Sequence, residues 1–236
     1  MAQNNDSDLF KVNGLVAVIT GGGTGIGLMI AKALSANGAK KVYIIGRRLE
    51  KLQEAADQHT NIIPLQGDVT DKSSLQKAVD TIQQEAGYVN LLAVNSGISG
   101  PTMGNLPGNA SIQDLQKHMW AWSPEEMNKV YALNNTAAFF TATAFLGLLD
   151  AGNKPGNGIE GSQSQILFTT SLAGFSRKLT TGVAYSTSKA ATTHLAKSMS
   201  TFLAGYGIRV NALAPGIFPS KSAIIRWGSV KSAEPG

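Results

Sequence analysis

Tyr185 and Lys189 stand four residues apart in 183–204, a stretch whose apolar spacing predicts a helix, so both side chains share one face. An isolated phenol titrates near pH ~10, too high for efficient proton transfer at neutral pH, and a neighbouring ammonium favours the phenolate. Such a pair suits the delivery of a proton to an alkoxide, for instance the one left when a hydride reaches a ketone carbon. A lone Y-x-x-x-K is also a common surface pair, so its context matters. Ser171-Leu172-Ala173-Gly174 closes a predicted strand at 166–170. A strand-end hydroxyl and the helix that follows can converge on one carbonyl, whose oxygen Ser171 would hold by donating a hydrogen bond.

A second group of residues suits anion binding. Thr20-Gly21-Gly22-Gly23-Thr24-Gly25-Ile26-Gly27 joins an apolar run to a helical pattern. A glycine-rich strand-to-helix turn lets backbone approach a ligand closely, and the helix N-terminus offers free N–H groups to a pyrophosphate. The spacing does not fit G-x-G-x-x-G, and no Gly-Lys-Ser/Thr ending makes it a phosphate loop. After the second apolar run comes Gly46-Arg47-Arg48, with no acid to bind a ribose 2′-hydroxyl. Two guanidiniums there suit a 2′-phosphate and so favour NADP(H).

These residues need a frame. Apolar runs at 15–20, 42–45, 62–65, 91–94, 166–170 and 210–214 alternate with helical patterns beginning at 25, 49, 72, 123 and 183. Continuous rather than alternating runs predict a parallel sheet covered on both faces, an α/β doubly wound fold with six strands. Ser123-Pro124-Glu125-Glu126 is a strong helix start, and the helix it opens is expected to run to Asp150. The stretch 96–122 reads as irregular, with Met103, Leu106, Trp120 and Trp122 as candidate pocket residues beside Phe175 and Phe218. The Gly- and Pro-rich stretch 151–164 reads as a flexible surface insertion.

The spacing T-G-x-x-x-G-x-G, with Gly21, Gly25 and Gly27, resembles the cofactor turn of the short-chain dehydrogenase/reductase family. S-x-x-G at 171–174 followed by Y-x-x-x-K at 185–189 resembles the family's catalytic core residue for residue. Asn134-Asn135 before two phenylalanines is similar to its catalytic-Asn segment, and matching the phenylalanines picks Asn135, with Asn134 as the other candidate. Val94-Asn95-Ser96-Gly97 resembles N-N-A-G with two replacements, Gly67-Asp68-Val69 resembles the adenine-contacting turn, and Asn211 to Gly216 resembles N-x-x-x-P-G.

The resemblance implies a Rossmann-like domain over 1–220 that reduces a ketone, or oxidises the alcohol, with NADP(H). Its implied catalytic set is Asn135, Ser171, Tyr185 and Lys189, with Asn135 anchoring a relay water. Its implied cofactor set is Gly21, Gly23, Thr24, Gly25, Ile26, Gly27, Arg47, Arg48, Asp68, Val69, Asn95, Tyr185, Lys189, Pro215, Gly216 and Ile217. The finer likeness is to 3-oxoacyl reductases of the rhamnolipid type.

Composition narrows the alternatives. Zero Cys among 236 residues removes thiolate and disulfide chemistry, and the three His (His59, His118, His194) are too scattered for a metal site. The net charge of +5 comes from doublets rather than runs, which argues against nucleic-acid binding. No apolar run is long enough to span a membrane, and a cytoplasmic setting is expected. The small-molecule partner is a carbonyl or alcohol. A homodimer, or a tetramer, is expected through the helices at 123–150 and 183–204. Relatives continue well past the Pro-Gly at 215–216, so the chain reads as truncated, with the family's seventh strand missing and an irregular tail at 221–236. That keeps a second reading open: a degenerate NADP(H)-binding sensor or partner protein.

Overall fold

The computed structural model describes residues 10–218, apart from 105, 160, 179 and 180. Six strands form one sheet: β1 (Val16–Thr20), β2 (Lys41–Gly46), β3 (Ile62–Gln66), β4 (Leu91–Val94), β5 (Gln165–Thr169) and β6 (Arg209–Leu213). The order is β3-β2-β1-β4-β5-β6, and every pairing is parallel. Strand order reverses between β1 and β4, which opens a crevice at the carboxyl ends of those strands.

The apolar runs follow from this topology. All five residues of β1 are buried because helices cover both faces. Val16 and Val18 face a core with α3 (Lys72–Glu85), α6 (Ala137–Ala144), α7 (Leu146–Gly152) and α8 (Val183–Leu203). Ala17 and Ile19 face the opposite core with α1 (Gly25–Ala36) and α2 (Leu49–Ala56). Asp71 starts α3 by accepting hydrogen bonds from the backbone N–H groups of Ser73 and Ser74.

Three expectations change. The stretch 96–122 contains α4 (Ile112–Trp120), opened by a capping box between Ser111 and Asp114. The helix expected over 123–150 is broken into α5 (Pro124–Tyr131), a π turn at Ala132–Thr136, α6 and α7. The 151–164 insertion is hydrogen-bonded to the sheet's base. Asn90 there accepts from Val16 N–H and donates to Gly152 O, while Asn153 accepts from Ser164 N–H and donates to Gly207 O.

Asn211, Ala212 and Leu213 of β6 are exposed. The tail at 221–236 lies outside the described residues. No single helix among the described residues is long and apolar enough to cross a membrane.

Candidate active site

The first part of the site is a cradle of backbone. Gly21 and Gly25 have φ of +68° and +57°, left-handed values that favour glycine. Gly27 is required for a different reason: a Cβ there would lie 2.5 Å from Gly21 O and 2.6 Å from Asn95 Nδ2. Thr24, at the N-cap of α1, is exposed and makes no side-chain cap, so among the described residues its side chain leaves the first N–H groups of α1, including that of Ile26, to an anion. Gly23 packs close to Leu52 and the Lys51 backbone, which brings the turn against α2.

Thr20 fixes the crevice width. Its buried Oγ1 accepts hydrogen bonds from Asn95 N–H at 2.9 Å and Ser96 N–H at 3.1 Å, while Asn95 Nδ2 donates to Thr20 O at 3.0 Å. The ends of β1 and β4 are therefore stapled together by side chains as well as by the ladder. Sequence reading assigned Thr20 no role beyond closing a strand; the signal was a hydroxyl ending an otherwise wholly apolar run.

Arg47 and Arg48 are exposed on the loop from β2 to α2, with Arg48 at the helix N-cap. Asp68 sits across from them after β3. It accepts from Thr70 N–H, which chiefly holds its carboxyl below the usual carboxylate range, with the Thr70 hydroxyl and the Arg47 charge adding to this. Val69 is buried in the core beneath. No acidic residue occupies the β2 end. The glycine cradle and the helix N-terminus fit a dinucleotide cofactor.

The second part of the site gathers on β5 and α8. Lys189 is 4% exposed, and its Nζ donates to Thr169 O at 2.7 Å. That Nζ lies 5.8 Å from the centroid of the half-buried Tyr185 ring. Burial pulls the ammonium's pKa down to about 8. Ser171 Oγ accepts from Ala173 N–H at 3.1 Å, which leaves its own proton available for donation. Gly174 explains the S-x-x-G spacing: a Cβ there would lie 2.8 Å from Ala190 N, so glycine lets the turn after β5 dock on α8. Pro215 O accepts from Leu172 N–H at 3.0 Å and ties the segment after β6 to that turn. Gly216 and Ile217 are exposed beside it.

The two candidate asparagines stand in different surroundings. Asn135 is half-buried, and no side-chain hydrogen bond is formed by it among the described residues. Asn134, the other candidate, is 1% exposed. Its Oδ1 accepts from Ile98 N–H at 2.8 Å, and its Nδ2 donates to Ile98 O at 2.9 Å and to Ser188 Oγ at 3.0 Å. Both asparagines lie in the π turn, which shifts the helical phase so that Asn134 and not Asn135 is turned inward. Just above Gly97, a Cβ would lie 3.2 Å from Asn134 Oδ1 and 3.3 Å from Lys189 Nζ. The missing side chain at 97 thus leaves room for the amide and the ammonium to approach each other.

With this geometry in place, comparison with known proteins is decisive. The profile of the short chain dehydrogenase family matches residues 15–225. The chain belongs to the short-chain dehydrogenase/reductase family. It is 48% identical over 231 residues to the short-chain dehydrogenase/reductase PhomF of Diaporthe leptostromiformis, covering 97% of this chain and 77% of that protein. It is 50% identical over 209 residues to SAT3 of Stachybotrys chartarum, covering 83% and 77%. The fold matches the Pseudomonas aeruginosa RhlG/NADP active-site complex with a TM-score of 0.76 at 27% identity, covering 90% of this chain and 76% of that one. As in the family at large, the chemistry is redox chemistry of a ketone or alcohol with a nicotinamide cofactor.

Not every candidate pocket residue joins this reductase site. Leu106 lines an open groove of about 640 Å³ with Pro107, Asp114, Lys117 and His118, which none of Asn134, Asn135, Ser171, Tyr185 and Lys189 borders. Trp120 is 88% exposed, and Trp122 meets His118 edge to face. Phe175 and Phe218 are exposed, like Leu172 and Ile217 on the same two loops.

Proposed function

We propose that this chain is an NADPH-dependent reductase of an apolar ketone. The observation that carries the proposal is Lys189 Nζ, which donates to Thr169 O at the carboxyl end of β5, two residues before Ser171, and lies 5.8 Å from the Tyr185 ring, in a chain whose glycine turn after β1 is joined by Arg47 and Arg48, and no acid, after β2. The RhlG complex contains NADP, which supports the same cofactor preference. Bound NADPH supplies the hydride. Ser171 donates a hydrogen bond to the ketone oxygen and orients it. The Tyr185 phenol gives its proton to the developing alkoxide. Lys189, anchored by Thr169 O, places a positive charge behind the phenol. Asn134 anchors the far end of the proton supply, and its amide is held rigidly by Ile98.

Gly21, Gly25 and Gly27 admit the pyrophosphate, the α1 N-terminus meets it, and Asn95, Asp68 and Val69 frame the nucleoside. Pro215, Gly216 and Ile217 close over the nicotinamide side. Exposed Leu172, Phe175, Ile217 and Phe218 give the mouth an apolar character that suits an aliphatic or polyketide-like ketone. Phe139, Phe202 and Tyr206 leave apolar surface on and just beyond α6 and α8, which supports a homodimer through that face.

The test is NADPH oxidation with a ketone panel: a β-keto ester, a bicyclic decalone and a polycyclic quinone. At least one should be reduced, with NADPH strongly preferred over NADH. Tight NADPH binding without turnover of any ketone would favour the sensor reading instead.

A further inference from the structure

The hydrogen bonds around Asn134 extend past the residues that touch substrate or cofactor. Asn134 sits inside the π turn, where the widened helix draws backbone carbonyls away from the usual i→i+4 ladder. Asn134 O receives a hydrogen bond from Thr192 Oγ1 at 2.8 Å, and that same hydroxyl lies 2.9 Å from Ser188 O. One turn back on α8, Ser188 Oγ donates to Tyr185 O at 2.7 Å and accepts from Asn134 Nδ2. Asn134, Ser188 and Thr192 are all essentially buried, so water cannot replace a lost partner at low cost. Asn134 is thus held at both its backbone carbonyl and its side-chain amide by the helix that carries Tyr185 and Lys189.

We infer that Thr192 is a positioning residue for proton delivery: its hydroxyl fixes the Asn134 peptide, and so the distance from Asn134 to Lys189. This rests on the reading of Asn134 as the far end of the proton supply. Thr192 has no route to the ketone, and its hydroxyl is satisfied by backbone carbonyls alone. A β-branched residue is stiff at χ1, which suits it to holding a second helix at a fixed spacing. Valine keeps the shape and removes the donor, while serine keeps the donor.

The experiment compares T192V, T192S and N134A in the full chain, with the best ketone found and NADPH. Thr192→Val should lower kcat about three- to tenfold, the worth of roughly one buried hydrogen bond, with KM for ketone and NADPH unchanged. It should also raise the solvent deuterium isotope effect on kcat, and Thr192→Ser should restore both. A purely structural role would not move the isotope effect. Amide hydrogen exchange supplies a readout independent of turnover: T192V should speed exchange over 132–138 and leave β1 and α1 unchanged. If T192V leaves both the isotope effect and exchange at 132–138 as in the wild type, the inference is wrong. If N134A keeps full activity, the underlying reading of Asn134 fails, whatever Thr192 does.

Discussion

The two halves of the site are specified in different ways. On the proposed cofactor side, between β1 and α1, the requirements are written in backbone: left-handed φ at Gly21 and Gly25, a Cβ-free approach at Gly27, and a helix N-terminus. On the catalytic side, between β5, the π turn and α8, it is written in side chains tied by buried hydrogen bonds, with Lys189 on Thr169 O and Asn134 on Ile98, Ser188 and Thr192. Backbone requirements of the first kind leave glycines at fixed spacing, which a sequence displays openly. A side-chain network depends on which residue a helix turns inward, and one π turn changes that answer. Damage should differ accordingly: cradle changes strike binding, network changes strike turnover.

The largest effect should come from the catalytic half. Tyr185→Phe keeps the ring and removes the proton donor, so kcat for ketone reduction should fall by on the order of 10²–10⁴. Titration of NADPH fluorescence should give an unchanged Kd. A variant with near wild-type turnover would assign the acid elsewhere.

The cradle should respond in the opposite way. Gly27→Val would place a side chain where even a Cβ comes within 2.5 Å of Gly21 O. NADPH binding should be lost, while circular dichroism keeps its helical signal. Retained NADPH affinity would show that the dinucleotide does not use this turn.

The two asparagines sharpen the comparison, because they are neighbours with opposite expectations. Asn134→Ala should cost on the order of 10²-fold in kcat by loosening a positioned relay. Asn135→Ala should leave kcat within about threefold, since its side chain makes no hydrogen bond among the described residues. Equal losses would mean that the π turn does not decide which amide serves.

That pair also marks how far the sequence could be read. The six strands were legible because a buried parallel strand must be apolar throughout, as Val16–Ile19 is, whereas their order in the sheet is set by pairings between distant segments. The positions of Ser171 at the end of β5 and of Tyr185 and Lys189 one turn apart on α8 were legible because strand end and helix phase fix them. The choice between Asn134 and Asn135 was left open to a pattern match, because the π turn that buries Asn134 and not its neighbour carries no compositional mark in Ala132–Thr136. Helix α4 was hidden among Gly and Pro, although Ser111 and Asp114 stand at capping-box spacing. Thr20 passed as the end of a strand because its staple to Asn95 spans distant sequence.

Within the cradle half, specificity should be softer than binding. Arg47→Asp replaces a charge-assisted partner of a 2′-phosphate by a repelling one. It should weaken NADPH by about 10- to 100-fold and NADH by much less. The ratio of kcat/KM for the two cofactors measures this, and equal losses would remove Arg47 from the phosphate site.

The smallest effect concerns Lys189 and stability. Burial lowers its pKa from the ordinary 10.5 to about 8 in the folded chain. Between those two values the unfolded chain holds more protons, so this group makes stability rise with pH from about 8 to about 10.5. Below pH 8 the full cost of burying the ammonium is present. Lys189→Met removes that cost and also leaves Thr169 O without its donor, an offset that does not depend on pH. The melting temperature of the variant minus that of the wild type should therefore be most positive near pH 7 and fall steadily towards pH 10.5. Titrations of other groups are common to both proteins and cancel in the difference. A difference that stays flat across this window would mean that Lys189 keeps its ordinary affinity for a proton, and that its ammonium stands in a better-solvated catalytic half than the buried hydrogen bonds imply.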